Sequence, residues 1–194
     1  MKFFPSKKYS TLTDLVKACQ RLDSRAQTIF YERYKSELIG ICLRYAKTKA
    51  EAEDIYQESF IRVFKYIDQV KNPESIDSWI KSVVIRTAIN YYHRTTKLEN
   101  LHISADAHAI DFEGDQHEGI IERLSVDELR EIIGQLADGY RMIINMHLID
   151  GYSHVEIAEM LSISDSTSRS QFLRGRNILI KKLREAGITR YETR

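Results

Sequence analysis

Residues Ser153–Arg176 read SHVEIAEMLSISDSTSRSQFLRGR, and the spacing within this stretch decides the fold. Ser153 with Glu156 three residues later is a capping box, in which side chain and backbone satisfy each other's unpaired groups at a helix start. Val155, Ile157, Ala158 and Leu161 then supply the apolar side of a two-turn helix. "SIS" turns the chain, and Ser164 can cap a second helix. In that helix Ser168, Phe172, Leu179 and Leu183 fall on one side, with Ser166, Ser170, Arg174 and Asn177 opposite. Arg169 and Leu173 border the polar strip. A short helix, a tight turn and a second helix with a basic face form a helix-turn-helix, whose second helix enters the DNA major groove. A solvated helical hairpin would present much the same face. The absence of any acid from Ser166 to Arg184, against six bases, favours DNA.

Outward from this stretch the pattern stays helical, and strand-like alternation is absent. Helical signal begins near Ile120 and runs to about Arg184, read as four short helices. The preceding segment, LENLHISADAHAIDFEGDQHEG, is acidic, carries two glycines and has no period, which reads as a linker. Upstream, Phe30, Tyr34, Leu38, Ile41 and Tyr45 step by four, four, three and four, the buried stripe of an amphipathic helix. A shorter helix lies around Leu12–Leu22, another runs from Lys49 to Val70, KNPES breaks it, and a further one covers Ile76–Arg94. The expectation is all-α: a helical domain over 1–96, an acidic linker over 97–119, and a helix-turn-helix domain over 120–194.

The formal charge of +1 hides segregated blocks. Trp79–Lys97 holds four bases and no acid, Leu98–Ser125 seven acids against Arg123 alone, and Ser166–Arg184 six bases. Two surfaces suited to a polyanion, separated by an acidic connector, are the natural reading.

On the Lys49–Val70 helix, Ile55, Tyr56, Ser59, Val63 and Ile67 face inward, and Asp54, Glu58, Ile61 and Lys65 face out. Ile61 is an aliphatic residue amid acids; it is either an incidental exposed side chain or part of a protein-docking face. On the next helix Ile80, Val84, Ala88 and Tyr91 point inward. Ser82, Arg86, Ile89 and His93 share the outer side, flanked by Trp79 and Asn90. Trp79 suits either a core or a single-strand platform, where cations hold phosphates and flat groups stack on bases.

In order and spacing, AEDIYQESFIRVF (Ala52–Phe64), SWIKSVVIRTAINYYHR (Ser78–Arg94), LADGYRMIINMHLIDGYSH (Leu136–His154) and EIAEMLSISDSTSRSQFLRGR (Glu156–Arg176) resemble the extracytoplasmic-function (ECF, group 4) sigma factors of bacterial RNA polymerase. The resemblance covers most of the chain. It implies that Asp54, Gln57, Glu58, Ile61 and Arg62 dock on core RNA polymerase. It implies that Lys71, Asn72, Ser75 and Asp77, with Trp79, Lys81, Ser82, Arg86, Asn90, Tyr91, His93 and Arg94, bind melted −10 promoter DNA. It also implies that Ser166, Thr167, Arg169, Ser170, Leu173, Arg174 and Arg176 bind the duplex −35 element, with Thr167 and Arg176 meeting phosphates. An anti-sigma factor is the further partner it suggests. The chain departs from the family at Arg86, commonly Asn; at His93, commonly Arg; and at Gly175, usually Ala. Ser168 stands where helix-turn-helix motifs usually place Val or Ile, which implies a less tightly packed helix pair.

No phosphate loop, metal cluster or catalytic triad is present in the sequence, so neither cofactor nor enzyme activity is expected. No apolar run could span a bilayer, and MKFFPSKKYS lacks the apolar block of a signal peptide. Cys19 and Cys42, without metal-ligand spacing, read as two reduced core thiols of a cytoplasmic protein. Two rival readings use the same residues: an ordinary helix-turn-helix regulator, and an interaction protein that copies sigma surfaces. A plain regulator has no use for the Trp79–Lys97 surface.

Overall fold

A computed structural model describes residues 9–99 and 126–186, which form helices and, among these residues, no strand. The chain divides into two compact units, Met1–Tyr92 and His93–Arg194.

In the first unit α1 (Leu12–Gln20) starts at a capping box between Thr11 and Asp14. α2 (Ser24–Tyr45) starts at Asp23, whose carboxylate accepts from the backbone N–H groups of Arg25 and Ala26. α3 (Lys49–Tyr66) starts at Thr48. The stripe of α2 is buried as expected at Phe30, Tyr34, Leu38, Ile41 and Tyr45, and it meets Ile55, Tyr56, Ser59 and Val63 of α3. Periodicity did not disclose how aromatic this seam is. Phe30 packs on Tyr34 at 4.7 Å between ring centroids, Tyr31 on Phe60 at 4.8 Å, and Phe60 on Tyr56 at 4.8 Å. Tilted and edge-on pairs of this kind add about 0.5–1.5 kcal/mol each beyond area burial. Cys19 and Cys42 are unpaired and buried, and burial pushes both thiols up to about 12, so they stay neutral.

The Lys49–Val70 helix of the sequence reading ends its α-helical part at Tyr66 and tightens into a 3₁₀ turn over Ile67–Gln69. Gln20 Nε2 donates to the carbonyls of Ile67 and Val70, at 2.9 and 3.0 Å, which ties that turn to the end of α1. A second 3₁₀ turn, Pro73–Ser75, leads into α4 (Ile76–Glu99). α4 runs past the expected end at Arg94, since Thr95–Glu99 contains neither glycine nor proline to stop it.

The second unit holds α5 (Val126–Gly134), α6 (Asp138–Ile144), a π-helical turn (Asn145–Ile149), α7 (His154–Leu161) and α8 (Asp165–Glu185). Its core is Ile132, Ile133, Leu136, Ile144, Leu179 and Leu183. The expectation of four short helices needs correcting at the last one. α8 is 21 residues long, because its second half continues past the helix-turn-helix to bury Leu179, Ile180 and Leu183. The expected linker beyond Glu99 and the expected helix start at Ile120 lie outside the described residues.

Candidate nucleic-acid interface

The helix pair forms as its caps require. Ser153 Oγ accepts from the Glu156 N–H, and Glu156 Oε2 accepts from the Ser153 N–H at 2.8 Å. Ser162 takes a left-handed conformation with φ 57° to end α7, and Ser164 Oγ accepts from the Thr167 N–H at 3.0 Å to start α8. Ile157, Ala158 and Leu161 are buried as expected. Val155 is not: it is 55% exposed. Two residues before Ile157, it lies about 200° round the helix axis from the buried side.

Ser168 also departs from expectation. Instead of leaving a loose joint, it is wholly buried, and its Oγ lies 2.9 Å from His154 Nδ1. The His154 ring stacks on His147 at 4.2 Å between centroids, and Phe172 stands edge-on to both rings, at 5.4 and 4.7 Å. His147 Nδ1 lies 2.8 Å from the Tyr152 carbonyl, a group that only accepts, so this nitrogen carries the proton. Volume that Val or Ile would occupy is thus taken by an imidazole pair. Burial, then His147 and Arg169, hold the His154 pKa below its usual value, opposed by Asp165.

On the outer side of α8, Ser166, Arg169, Ser170, Leu173 and Arg174 are exposed, while Thr167 and Arg176 are half-buried. These are the residues of the expected −35 surface, and one helix brings them together. Their hydroxyls are engaged locally. Ser164 Oγ lies 2.8 Å from Ser166 Oγ and 2.7 Å from Thr167 Oγ1, and Ser170 Oγ donates to the Thr167 carbonyl. Arg169 Nε donates to Asp165 Oδ2 at 2.9 Å. Sequence reading passed over Asp165, although its i,i+4 spacing from Arg169 was the available signal.

The second basic surface lies on α4 and the turn before it. Lys71, Asn72 and Ser75 are exposed. Asn72 Oδ1 accepts from the Glu74 N–H, and Ser75 Oγ donates to the Asn72 carbonyl at 2.8 Å, so the loop is held by its own polar groups. Asp77 accepts from the hydroxyl of the buried Tyr34. Burial and that carboxylate together raise the Tyr34 pKa. Asp77 is itself exposed, and one of its carboxylate oxygens is engaged by Tyr34 of α2. Lys81 pairs with Glu37 of α2 at 2.7 Å. Arg86, Asn90 and Arg94 are exposed, and Trp79, Ser82, Tyr91 and His93 are half-buried. Trp79, Ser82, Arg86, Asn90 and Arg94 follow in steps of three and four along one side. Ile89 was expected on this side; it is 2% exposed, because the buried arc of α4 takes in Val84, Ile85, Thr87, Ala88 and Ile89.

The third face lies on α3. Asp54 and Gln57 are exposed, Glu58 and Arg62 are half-buried and joined at 2.9 Å, and Ile61 is 70% exposed. Tyr66, partly exposed with Lys65 Nζ 5.1 Å from its ring centroid, extends the same helix end. Among the described residues no group of three or more His, Cys, Asp or Glu side chains could hold a metal ion. No helix among them is long and apolar enough to cross a membrane.

Comparison with known proteins bears on these faces. The family described as Sigma-70 region 2 matches residues 30–98, and that described as Sigma-70, region 4 matches residues 126–179. An ECF RNA polymerase sigma-E factor of Escherichia coli (strain K12) is 28% identical over 185 residues, covering 89% of this chain and 95% of that protein. An RNA polymerase sigma-H factor of Pseudomonas aeruginosa is 27% identical over 178 residues, covering 87% and 92%. Among solved structures, the sigma factor RpoE in complex with the anti-sigma factor NepR, from Bartonella quintana, gives a TM-score of 0.49 at 18% identity, covering 80% of this chain and 96% of that chain.

Proposed function

We propose, on the premise that this chain belongs to the sigma-70 family of RNA polymerase subunits, that it is an alternative sigma factor of the ECF group whose two modules read the two halves of one promoter. The observation that carries the reading is the pairing, in one chain and in family order, of a basic helix-turn-helix with a separate basic and aromatic helix face. A regulator that only grips duplex needs the first and not the second.

The C-terminal module lays α8 in the major groove of the −35 element. Arg169 and Arg174 meet base edges, and exposed Leu173 meets thymine methyl groups, each good bidentate contact adding about 1–3 kcal/mol of discrimination. Ser166 and Ser170 exchange their local hydrogen bonds for DNA acceptors, while Thr167 and Arg176 meet phosphates. The N-terminal module holds the −10 element open. Lys71, Asn72 and Ser75 present a loop to an unstacked base, Trp79 offers a stacking surface, and Lys81, Arg86 and Arg94 neutralise backbone phosphates. Stacking contributes about 1–3 kcal/mol per base, so two or three contacts offset much of the strand separation. Ser82, Asn90, Tyr91 and His93 border this face, and exposed Asp77, at the start of α4, is also held by the Tyr34 hydroxyl.

Asp54, Gln57, Glu58, Ile61 and Arg62 dock on core polymerase. An anti-sigma factor acts by covering these same faces. The chain makes and breaks no bond itself, works in the cytoplasm and leaves chemistry to the polymerase. The test is reconstituted transcription with core polymerase and this chain, with start sites mapped across a genome. Initiation at defined starts preceded by a shared pair of elements is expected, and initiation that does not depend on the chain would refute the reading.

A further inference from the structure

Asp165 is an acid at the head of the basic stretch Ser166–Arg184 and the first residue of α8. Its Oδ2 accepts from Arg169 Nε at 2.9 Å across one helical turn. Its Oδ1 is shut off from solvent and has no hydrogen-bond partner among the described residues. The carboxylate is therefore fixed: one oxygen is committed, and the other cannot turn outward.

Helix capping does not account for this arrangement, because Ser164 already caps α8 through the Thr167 N–H. Stability does not account for it either. The ion pair is largely exposed, a setting in which such pairs contribute little, and a buried acceptor without a donor is unfavourable. Guanidinium geometry does account for it. Arginine carries five N–H donors in a planar fork. With Nε engaged by Asp165, the two terminal nitrogens remain available for a partner on a side chain that is 60% exposed. The acceptor pair that matches a two-pronged arginine in the major groove is N7 and O6 of guanine. The same carboxylate lies near the α8 N-terminus, where a phosphate would otherwise be drawn in by backbone N–H groups and the helix dipole.

We propose that Asp165 is a positioning residue for promoter reading: it holds Arg169 in the orientation that selects guanine at one position of the upstream element, and it holds back phosphate contact with DNA of any sequence. The proposal rests on the reading of α8 as the −35 reader given above. Loss of Asp165 thus has two effects of opposite sign, weaker discrimination and stronger indiscriminate binding.

The test uses the full chain with core polymerase, bound to a duplex library randomised over the upstream element and, separately, to a fixed unrelated duplex. The wild type selects guanine at one position. Asp165→Ala lowers that preference by about tenfold, leaves the other positions as they were, and binds the unrelated duplex more tightly. Arg169→Ala abolishes the same preference, and adding Asp165→Ala to it changes nothing further at that position. Asp165→Glu, which spans the same i,i+4 spacing, retains most of the selectivity. An unchanged guanine preference in Asp165→Ala overturns the proposal. So does a uniform loss at every position that follows a lower melting temperature, the mark of a merely structural part. A wild type that selects no upstream sequence sinks the promoter reading itself, and this proposal with it.

Discussion

Gly175 lies buried where α8 passes α6, and a Cβ built there would meet Tyr140 Cβ at 3.1 Å and Ile144 Cγ1 at 3.3 Å. Alanine is the usual family residue at this position, and glycine costs about 1 kcal/mol of helix propensity. The near atom on Tyr140 is its Cβ, which cannot swing aside as the end of a long side chain could. Overpacking a tight joint costs about 1–3 kcal/mol, enough to cancel the propensity gain or reverse it. Gly175→Ala is therefore expected to lower the thermal midpoint of the C-terminal module, and a rise of several degrees would show that the helices separate freely. Leu22 makes a related point in the other unit. It ends α1 at φ 59°, where glycine is usual, held by Asp23 N–H to the Ala18 carbonyl at 3.1 Å.

At the scale of elements, the joint between α7 and α8 sets an imidazole pair beside Ser168, a site where helix-turn-helix motifs usually place Val or Ile. That gives the joint a pH dependence with a definite sign. Burial, His147 and Arg169 depress the folded-state pKa of His154, while Asp165 raises it, and the net shift is downward. The unfolded chain, with a histidine pKa of about 6.5, takes up the proton first as pH falls. The contribution is thus fully present above about pH 6.5 and is lost as pH drops through the depressed folded value. The midpoint of the wild type should fall between pH 7.5 and pH 5.5 by more than that of His154→Gln, measured by thermal melting of the full chain. Parallel declines in the two proteins would remove His154 from the account. Because α8 carries both this joint and the proposed reading face, DNA affinity should decline over the same range.

The whole molecule joins two compact units, each with its own core, so their losses should separate. Arg174→Ala removes an exposed arginine of the proposed −35 face and is expected to reduce initiation at promoters that depend on the −35 element by roughly tenfold or more, leaving core binding intact. Asp54→Ala with Gln57→Ala alters only exposed residues of α3 and is expected to weaken competition for core polymerase, with melting temperature unchanged. Transcription from promoters with and without the upstream element, beside a competition assay for core, distinguishes the two patterns. Equal loss by Arg174→Ala on both promoter kinds would contradict the assignment of α8. Salt adds a check at this scale, since contacts made through phosphates weaken steeply as ionic strength rises.

Much of this protein was legible in residue order alone. The buried stripe Phe30–Tyr45, the inward set on α3, both serine caps of the helix pair and the basic outer side of α8 follow from a 3.6-residue period and from capping chemistry, which are local and need no partner. Local rules also failed in recognisable ways. They turned Ile89 outward and Val155 inward, because the width of a buried arc depends on how many neighbours a helix has. They were silent on the long-range partners of Asp77 and Lys81, which are Tyr34 and Glu37, some 43 and 44 positions earlier in the chain. They read Ser168 as a slack joint and Gly175 as a propensity defect. Only tertiary structure set His154, stacked on His147, against that serine and two α6 side chains against that glycine, because packing is decided by what residues distant in sequence bring into the same few ångströms.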